Sequence, residues 1–298
     1  MNQVTEVTND TRTETNTFGP IQVPSKCYYG AQTARSMIQF NIGLPTDQVP
    51  LEMIKALVIL KKACAIVNQG FGLENTICVA IAQACDEIIR DESNGDFPLS
   101  ILQTISGAQI DINVNEVIAN RAIQILGGTM GSKTPVHPSH HVNRNQSSNT
   151  TFSTAMHIAI ILALNSQLYP ALNGLHDVLK KAEKSAKGFE IHRLLAQNIK
   201  EMGCDEKFSV CAHQIAMEIQ RVKSSEIDLY ELSIGGETAP DSFDNFVVEN
   251  LHHHIGLKFV NASNQSKALA AHDTMAKLCR ALNTLADTLG RRKNKRCF

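Results

Sequence analysis

The run Ser106-Gly107-Ala108-Gln109-Ile110-Asp111-Ile112-Asn113-Val114-Asn115-Glu116-Val117-Ile118-Ala119-Asn120-Arg121-Ala122-Ile123-Gln124-Ile125-Leu126-Gly127-Gly128 spaces its apolar residues in steps of three and four. Val114, Val117, Ile118, Ile125 and Leu126 mark a helix over Asp111 to Leu126, and the Gly127-Gly128 pair ends it. Ser106 and Gly107 stand just before that helix. A hydroxyl and the N–H groups of a helix start can converge there on an anion.

The same spacing recurs on both sides. Upstream, Met53, Leu57, Leu60, Cys64 and Val67 form one seam of a helix that begins at Pro50 and stops near Gly70 and Gly72, and a second helix runs from about Glu74 to Arg90. Downstream, the polar, His- and Pro-bearing segment Gly131 to Asn145 reads as a loop. Beyond it lie three long helical stretches, about Thr151 to Lys187, Asp205 to Leu232 and Ser266 to Leu289. The middle one is seamed by Phe208, Cys211, Ile215, Val222 and Leu229. Pro170 is expected to kink the first, because it removes a backbone donor and crowds the preceding turn. Strand signals are few, so the fold class is mostly α, with the long helices forming a bundle.

Composition narrows the functional classes. The 298 residues are 43% hydrophobic, with 28 Lys plus Arg against 29 Asp plus Glu. The resulting formal charge of -1 supplies no basic surface for nucleic acid or anionic lipid. The longest apolar run, Ile158 to Leu164 extended back to Ala155 across His157, is about half the ~20 residues a membrane span requires and reads as a buried helix. The eight cysteines are scattered without a C-x-x-C pair, which fits reduced thiols. Met1 to Asn16 carries one Arg among three acidic residues, unlike a secretory signal or an Arg-rich presequence, so a cytoplasmic location is expected.

The stretch Thr17-Phe18-Gly19-Pro20-Ile21-Gln22-Val23-Pro24, followed by Tyr28-Tyr29-Gly30-Ala31-Gln32-Thr33-Ala34-Arg35-Ser36, resembles the amino-terminal signature of the fumarase and aspartase superfamily. The likeness continues through Gln103 to Arg121, Gly131-Ser132-Lys133, Pro135-Val136-His137-Pro138, Asn143 with Gln146-Ser147-Ser148-Asn149, and Ala268-Leu269-Ala270-Ala271-His272-Asp273. The wording at Pro135 to Asn149 and Ala268 to Asp273 is closer to the class II fumarases. The resemblance implies a fumarase/aspartase-like fold with an amino-terminal helical domain over 17–145 and an incomplete long-helix bundle over 146–290. Residues 1–16 are expected to be a flexible terminus and 291–298 a basic, solvated tail. It also implies an oligomer whose sites draw on three chains, either a homo-oligomer or a hetero-oligomer with an intact fumarase. By family likeness a mitochondrial location is an alternative to the cytoplasm.

The implied chemistry is reversible anti addition of water across the double bond of a small dicarboxylate, with no metal and no cofactor. The substrate-binding residues that match are Ser106, Ser147, Ser148 and Asn149, and His137 matches a secondary anion site in which Ser139 and His140 replace the usual Asn-Asp. In isolation, a Ser-Ser-Asn before a helix reads as an N-cap. No residue of this chain is assigned as the catalytic base.

The departures from the family pattern point to impaired catalysis. Ala108 replaces a threonine hydroxyl, and Asp111 puts a carboxylate where relatives carry an amide. Like charges about 4 Å apart at an effective dielectric near 20 repel by roughly 4 kcal/mol, equivalent to about a thousandfold in affinity. Leu194 and Leu195, in the run Glu190 to Asn198, replace a Thr-His pair and can neither donate nor titrate. The loop Gly235-Gly236-Glu237-Thr238-Ala239-Pro240-Asp241 is stiffer and more acidic than its counterpart. A Gly-Ser-Ser-x-Met-Pro-Gly-Lys-x-Asn-Pro loop that would carry the favoured base is absent from the 298 residues. The expectation is therefore a fumarate hydratase-like protein with little activity alone, the alternatives being an altered lyase or a non-catalytic subunit. His137, His140 and His141, and His252-His253-His254, lack Cys or acidic partners at ligand spacing, so no metal site is expected.

Overall fold

A computed structural model of the chain describes residues 10–40, 42–90, 95–103, 107–186, 204–237, 239–263 and 273–294. Contacts divide it into two compact units. The first comprises Met1–Ala159 with Leu232–Leu269, and the second Ile160–Glu231 with Ala270–Phe298. Helix α5 (Ser148–Ala163) begins inside the first unit.

The first unit opens with an antiparallel hairpin, β1 (Thr11–Asn16) and β2 (Gly19–Pro24), in the register Thr11↔Pro24 to Asn16↔Gly19. Its first strand falls within the terminus expected to be flexible. Arg12 supplies the reason. Its guanidinium donates to the buried Glu14 Oε1 at 2.9 and 2.7 Å and to the carbonyls of Cys27 and Tyr29 at 2.6 and 2.8 Å, which fastens the strand to the chain that follows.

Four helices then build the core of this unit: α1 (Ala31–Gln39), α2 (Leu51–Gly70), α3 (Asn75–Arg90) and α4 (Ala108–Ile125). On α2, Met53, Leu57, Leu60 and Cys64 are buried as the seam predicts. Helix α4 buries residues on nearly every side, Val114, Ile118, Ala122 and Ile123 completely. It also carries the buried Glu116, which receives N–H groups from Gly30 (2.9 Å), Gln32 (2.8 Å) and Thr33 (3.1 Å) and the Thr33 hydroxyl (2.7 Å). An internal carboxylate thus occupies the positive end of α1 and ties it to α4. Burial still pushes the Glu116 carboxyl above its usual range, against these donors.

The segment expected as loop contains a π-helical turn, Pro138–Val142. The first long stretch is one continuous helical run, α5, a π-helical turn at Leu164–Leu168, and α6 (Tyr169–Ala186). The widened turn lies just ahead of Pro170 and takes up the backbone mismatch that a proline creates. The run Ser148–Ala186 holds an 18-residue window of mean hydropathy 1.3, long and apolar enough by length and composition to cross a membrane. Ala155, Ile158 and Ile161 are buried within the protein, and Thr150 and Thr154 donate to the carbonyls of Gly235 (2.9 Å) and Ser233 (2.6 Å). These contacts anchor the beginning of the run within the protein.

In the second unit, α6 packs on α7 (Cys204–Glu226), and α7 on α9 (Asp273–Asn294). Ile215, Val222 and Leu229 of the expected seam are buried. Helix α9 extends through residues expected to be a solvated tail, as far as Asn294. Helix α8 (Phe243–Ile255) belongs to the first unit and packs on α2.

Candidate functional site

Helices α4 and α5 start side by side. Gly107 caps α4 in a left-handed conformation, φ 74°, and accepts from the N–H groups of Ile110 and Asp111, both at 3.1 Å. This is why the helix begins at Ala108, three residues before the apolar periodicity becomes visible. The Phe152 ring of α5 covers Gly107 so closely that a Cβ added there would lie 2.0 Å from its Cγ. Only glycine meets both demands.

Four residues later on α4 comes Asp111, fully buried and 2.7 Å from Lys61 Nζ of α2, which is equally buried. Lys61 also donates to Asn143 Oδ1 at 2.6 Å. Asp111 Oδ2 accepts from the Ser148 hydroxyl at 2.7 Å and from Asn115 Nδ2 at 3.1 Å. The carboxylate expected to repel a bound dianion is therefore an inward-facing member of an ion pair, and its charge is balanced within hydrogen-bonding distance. The surroundings are dry. Burial pushes the Cys64 thiol up to about 12, although Lys61 opposes the shift.

The chain entering α5 is held from two sides. From α2, Asn68 donates to the Arg144 carbonyl at 3.0 Å and accepts from Asn145 Nδ2 at 2.7 Å, while Arg144 reaches the Phe71 carbonyl at 2.9 Å. From the glycine loop, Gly236 N–H donates to the Asn145 carbonyl at 3.2 Å, and a Cβ on Gly236 would meet the Gln146 backbone at 3.2 Å. Glu237 and Asp241 of that loop are exposed.

Of the expected substrate-binding residues, Ser147 and Ser148 are half-buried at the start of α5 and Asn149 is exposed, while Ser106 lies outside the described residues. So do Leu194 and Leu195. His137 caps the π-helical turn instead of pointing freely outward. Its Nδ1 accepts from the N–H groups of Ser139 at 3.1 Å and His140 at 3.3 Å, and His141 Nδ1 accepts from His137 N–H at 3.0 Å. Burial and the neighbouring imidazole of His140 hold both His137 and His141 below the usual histidine range. Among the described residues, no group of three or more His, Cys, Asp or Glu is placed to hold a metal ion.

Sequence reasoning missed Lys61. The signal is its place on the apolar stripe of α2, between Leu57 and Val58 one turn before and Cys64 and Ala65 one turn after, where a lysine is tolerated only with a buried partner. Asn143 and Asn115, which complete the polar cluster, carry no comparable periodic mark.

The family described as Lyase matches residues 19–294. A fumarate hydratase, mitochondrial, of Rattus norvegicus is 44% identical over 288 residues, which are 94% of this chain and 57% of the relative. A class II fumarate hydratase of Thermosynechococcus vestitus is 44% identical over 291 residues, 95% and 62% of the two chains. The chain thus spans a little over half the length of the curated relatives it matches. Among solved structures, a class II fumarase from Schistosoma mansoni aligns with a TM-score of 0.88 at 31% identity, covering 95% of this chain and 64% of the other. A fumarate lyase:delta crystallin from Brucella melitensis shares the fold, with a TM-score of 0.84 at 24% identity over 95% of this chain and 63% to 65% of the compared chains.

Proposed function

The chain belongs to the lyase family and, within it, to the fumarase/aspartase superfamily; on that premise we propose that it is a fumarate hydratase-like protein that binds a small dicarboxylate where α4 and α5 begin, and that alone it hydrates fumarate poorly. The observation that carries the binding site is the meeting of two helix starts across the Ser148–Asp111 hydrogen bond of 2.7 Å. Helix N-termini present N–H groups and a partial positive charge, the surroundings a carboxylate favours. Ser147 and Asn149 stand beside them.

Weak turnover follows from the side chains present. Reaction requires a base for the carbon-bound proton and a group that positions water. Leu194-Leu195 stands where the family pattern has a hydroxyl and an imidazole, and Ala108 where it has a hydroxyl. Each such loss removes a separate contribution to the rate of about a hundredfold to ten-thousandfold. The assay follows fumarate absorbance with purified protein. Turnover below about one thousandth of that of the Rattus norvegicus relative is expected, and a rate within tenfold of it refutes the reading. Aspartate added in place of malate tests the altered-lyase alternative in the same cuvette.

Association between chains is the second part of the proposal. Val178, Val210, Met217 and Leu289 expose apolar side chains on α6, α7 and α9, and helix faces of that kind pack on further helices. Light scattering on the purified chain, and affinity capture after co-expression with an intact fumarase, distinguish homo-oligomer, mixed oligomer and monomer; a monomer in both experiments rejects this part. Relatives include proteins named as mitochondrial and one from Thermosynechococcus vestitus, and either a cytoplasmic or a mitochondrial site of action accords with them.

A further inference from the structure

The one proton of the Ser148 hydroxyl is committed. Its acceptor, Asp111 Oδ2 at 2.7 Å, belongs to a carboxylate in an ion pair with Lys61, and an ionised carboxylate accepts hydrogen bonds without donating any. Charge-assisted bonds of this length are the strong ones. Ser148 therefore faces away from Asp111 with lone pairs alone. Because Ser148 is half-buried at the start of α5, those lone pairs are accessible to a ligand held there.

We propose that Asp111 is a specificity-determining positioning residue. It turns Ser148 from a hydrogen-bond donor into an acceptor, so that the site prefers a ligand with an amide or another donor group at this position over a carboxylate. The inference rests on the binding site proposed above and specifies the chemistry of its ligand. Two carboxylate oxygens cannot satisfy an outward-facing lone pair, whereas the NH2 of a monoamide can.

The Lys61 contact makes the effect reversible by one atom. In Asp111→Asn, the Lys61 ammonium, a donor only, selects the amide oxygen at the position of Oδ1. The NH2 group is left facing Ser148 and donates to its oxygen, while the Asn115 amide, which donates to Oδ2 in the unaltered chain, turns over so that its own oxygen, buried without a partner there, accepts the second N–H. The Ser148 proton is then released outward, and the cradle becomes one that donates to carboxylates.

Calorimetric titration of the full chain with fumarate and with its monoamide tests this. In the unaltered chain the monoamide is expected to bind more tightly. Ser148→Ala, which leaves Asp111 paired with Lys61 and Asn115, is expected to weaken the monoamide about tenfold, equivalent to 1.4 kcal/mol, and fumarate by a clearly smaller factor. Asp111→Asn is expected to move the ratio of the two affinities about tenfold toward fumarate, and Ser148→Ala in that background to remove the gain. A fumarate loss in the single Ser148→Ala variant as large as the monoamide loss overturns the proposal, and so does an unchanged ratio in folded Asp111→Asn. Should Asp111→Asn fail to fold, the Ser148→Ala comparison decides alone. If neither ligand binds any variant at millimolar concentration, the proposed binding site itself is wrong and the inference falls with it.

Discussion

Replacing Lys61 by methionine isolates the buried charge pair on which the site depends. Methionine keeps most of the stem that fills the space between α2 and α4, so the perturbation is chiefly electrostatic. At the observed 2.7 Å and an effective dielectric near 20, Coulomb's law gives an attraction of about 6 kcal/mol. Against it stands a desolvation cost of several kcal/mol for each ion. The two nearly cancel, so the intact pair adds little net stability, while an unpartnered Asp111 keeps its desolvation cost and loses the attraction. The expected loss for Lys61→Met is about 3–5 kcal/mol, and for Lys61→Met with Asp111→Asn about 1–3 kcal/mol, because the double change removes the unpartnered charge but leaves Asn143 Oδ1 without its donor. Urea unfolding followed by circular dichroism at 222 nm measures both. With a slope near 2 kcal/mol per molar, the single variant should unfold about 1.5–2.5 M earlier and the double variant about 0.5–1.5 M earlier. A single variant that loses under 1 kcal/mol, or a double variant no better than the single, would show that the pair is not ionised or not buried in solution.

What the sequence disclosed, and what it hid, follows from the kind of force that shapes each element. Helices α2, α3 and α7 bury one apolar stripe, and stripes are periodic, so their residues announced them. Strand β1 buries Glu14 and is fastened by Arg12; a polar strand held by a guanidinium leaves no apolar alternation in Thr11–Asn16 to find. The turn at Pro138–Val142 depends on an imidazole acting as a cap, a role that residue type alone does not signal. Position 111 reads from sequence as a carboxylate facing the ligand. Residue type shows the charge of that side chain, whereas the partner that neutralises it sits fifty residues earlier in sequence, on a different helix. The candidate site was thus legible as a set of positions, Ser147, Ser148 and Asn149 at a helix start, while the direction of their hydrogen bonds depended on a contact that only the fold supplies.

Three further outcomes are expected. Gly107→Ala should destabilise the chain by more than about 2 kcal/mol, because it combines a left-handed backbone, worth 1–2 kcal/mol, with displacement of the Phe152 ring; a melting temperature within 2 °C of the unaltered chain would contradict the tight approach of α4 and α5. Glu116→Gln turns an amide NH2 toward some of the N–H groups of Gly30, Gln32 and Thr33, so about 2–3 kcal/mol should be lost as buried donors go unmatched, with faster hydrogen exchange concentrated at the start of α1. Uniform acceleration over the whole unit would point to global loosening instead. The last prediction concerns acidification. Burial holds the folded-state values of His137 and His141 below their ordinary one, so the unfolded chain takes up protons first as the pH falls, and their contribution to stability, complete above about pH 6.5, is progressively lost below it. Protonating His137 also removes the Nδ1 lone pair that caps the π-helical turn. Glu116 and Glu226, raised by burial, act in the opposite sense and gain stability as the pH drops toward about 4.5. His141→Asn, whose side-chain oxygen can replace Nδ1 as acceptor for the His137 N–H, removes one titrating imidazole and keeps its hydrogen bond. Its melting temperature should therefore fall less than that of the unaltered chain between pH 7.5 and 5.5, and equal falls would show that His141 titrates alike in the folded and unfolded chains.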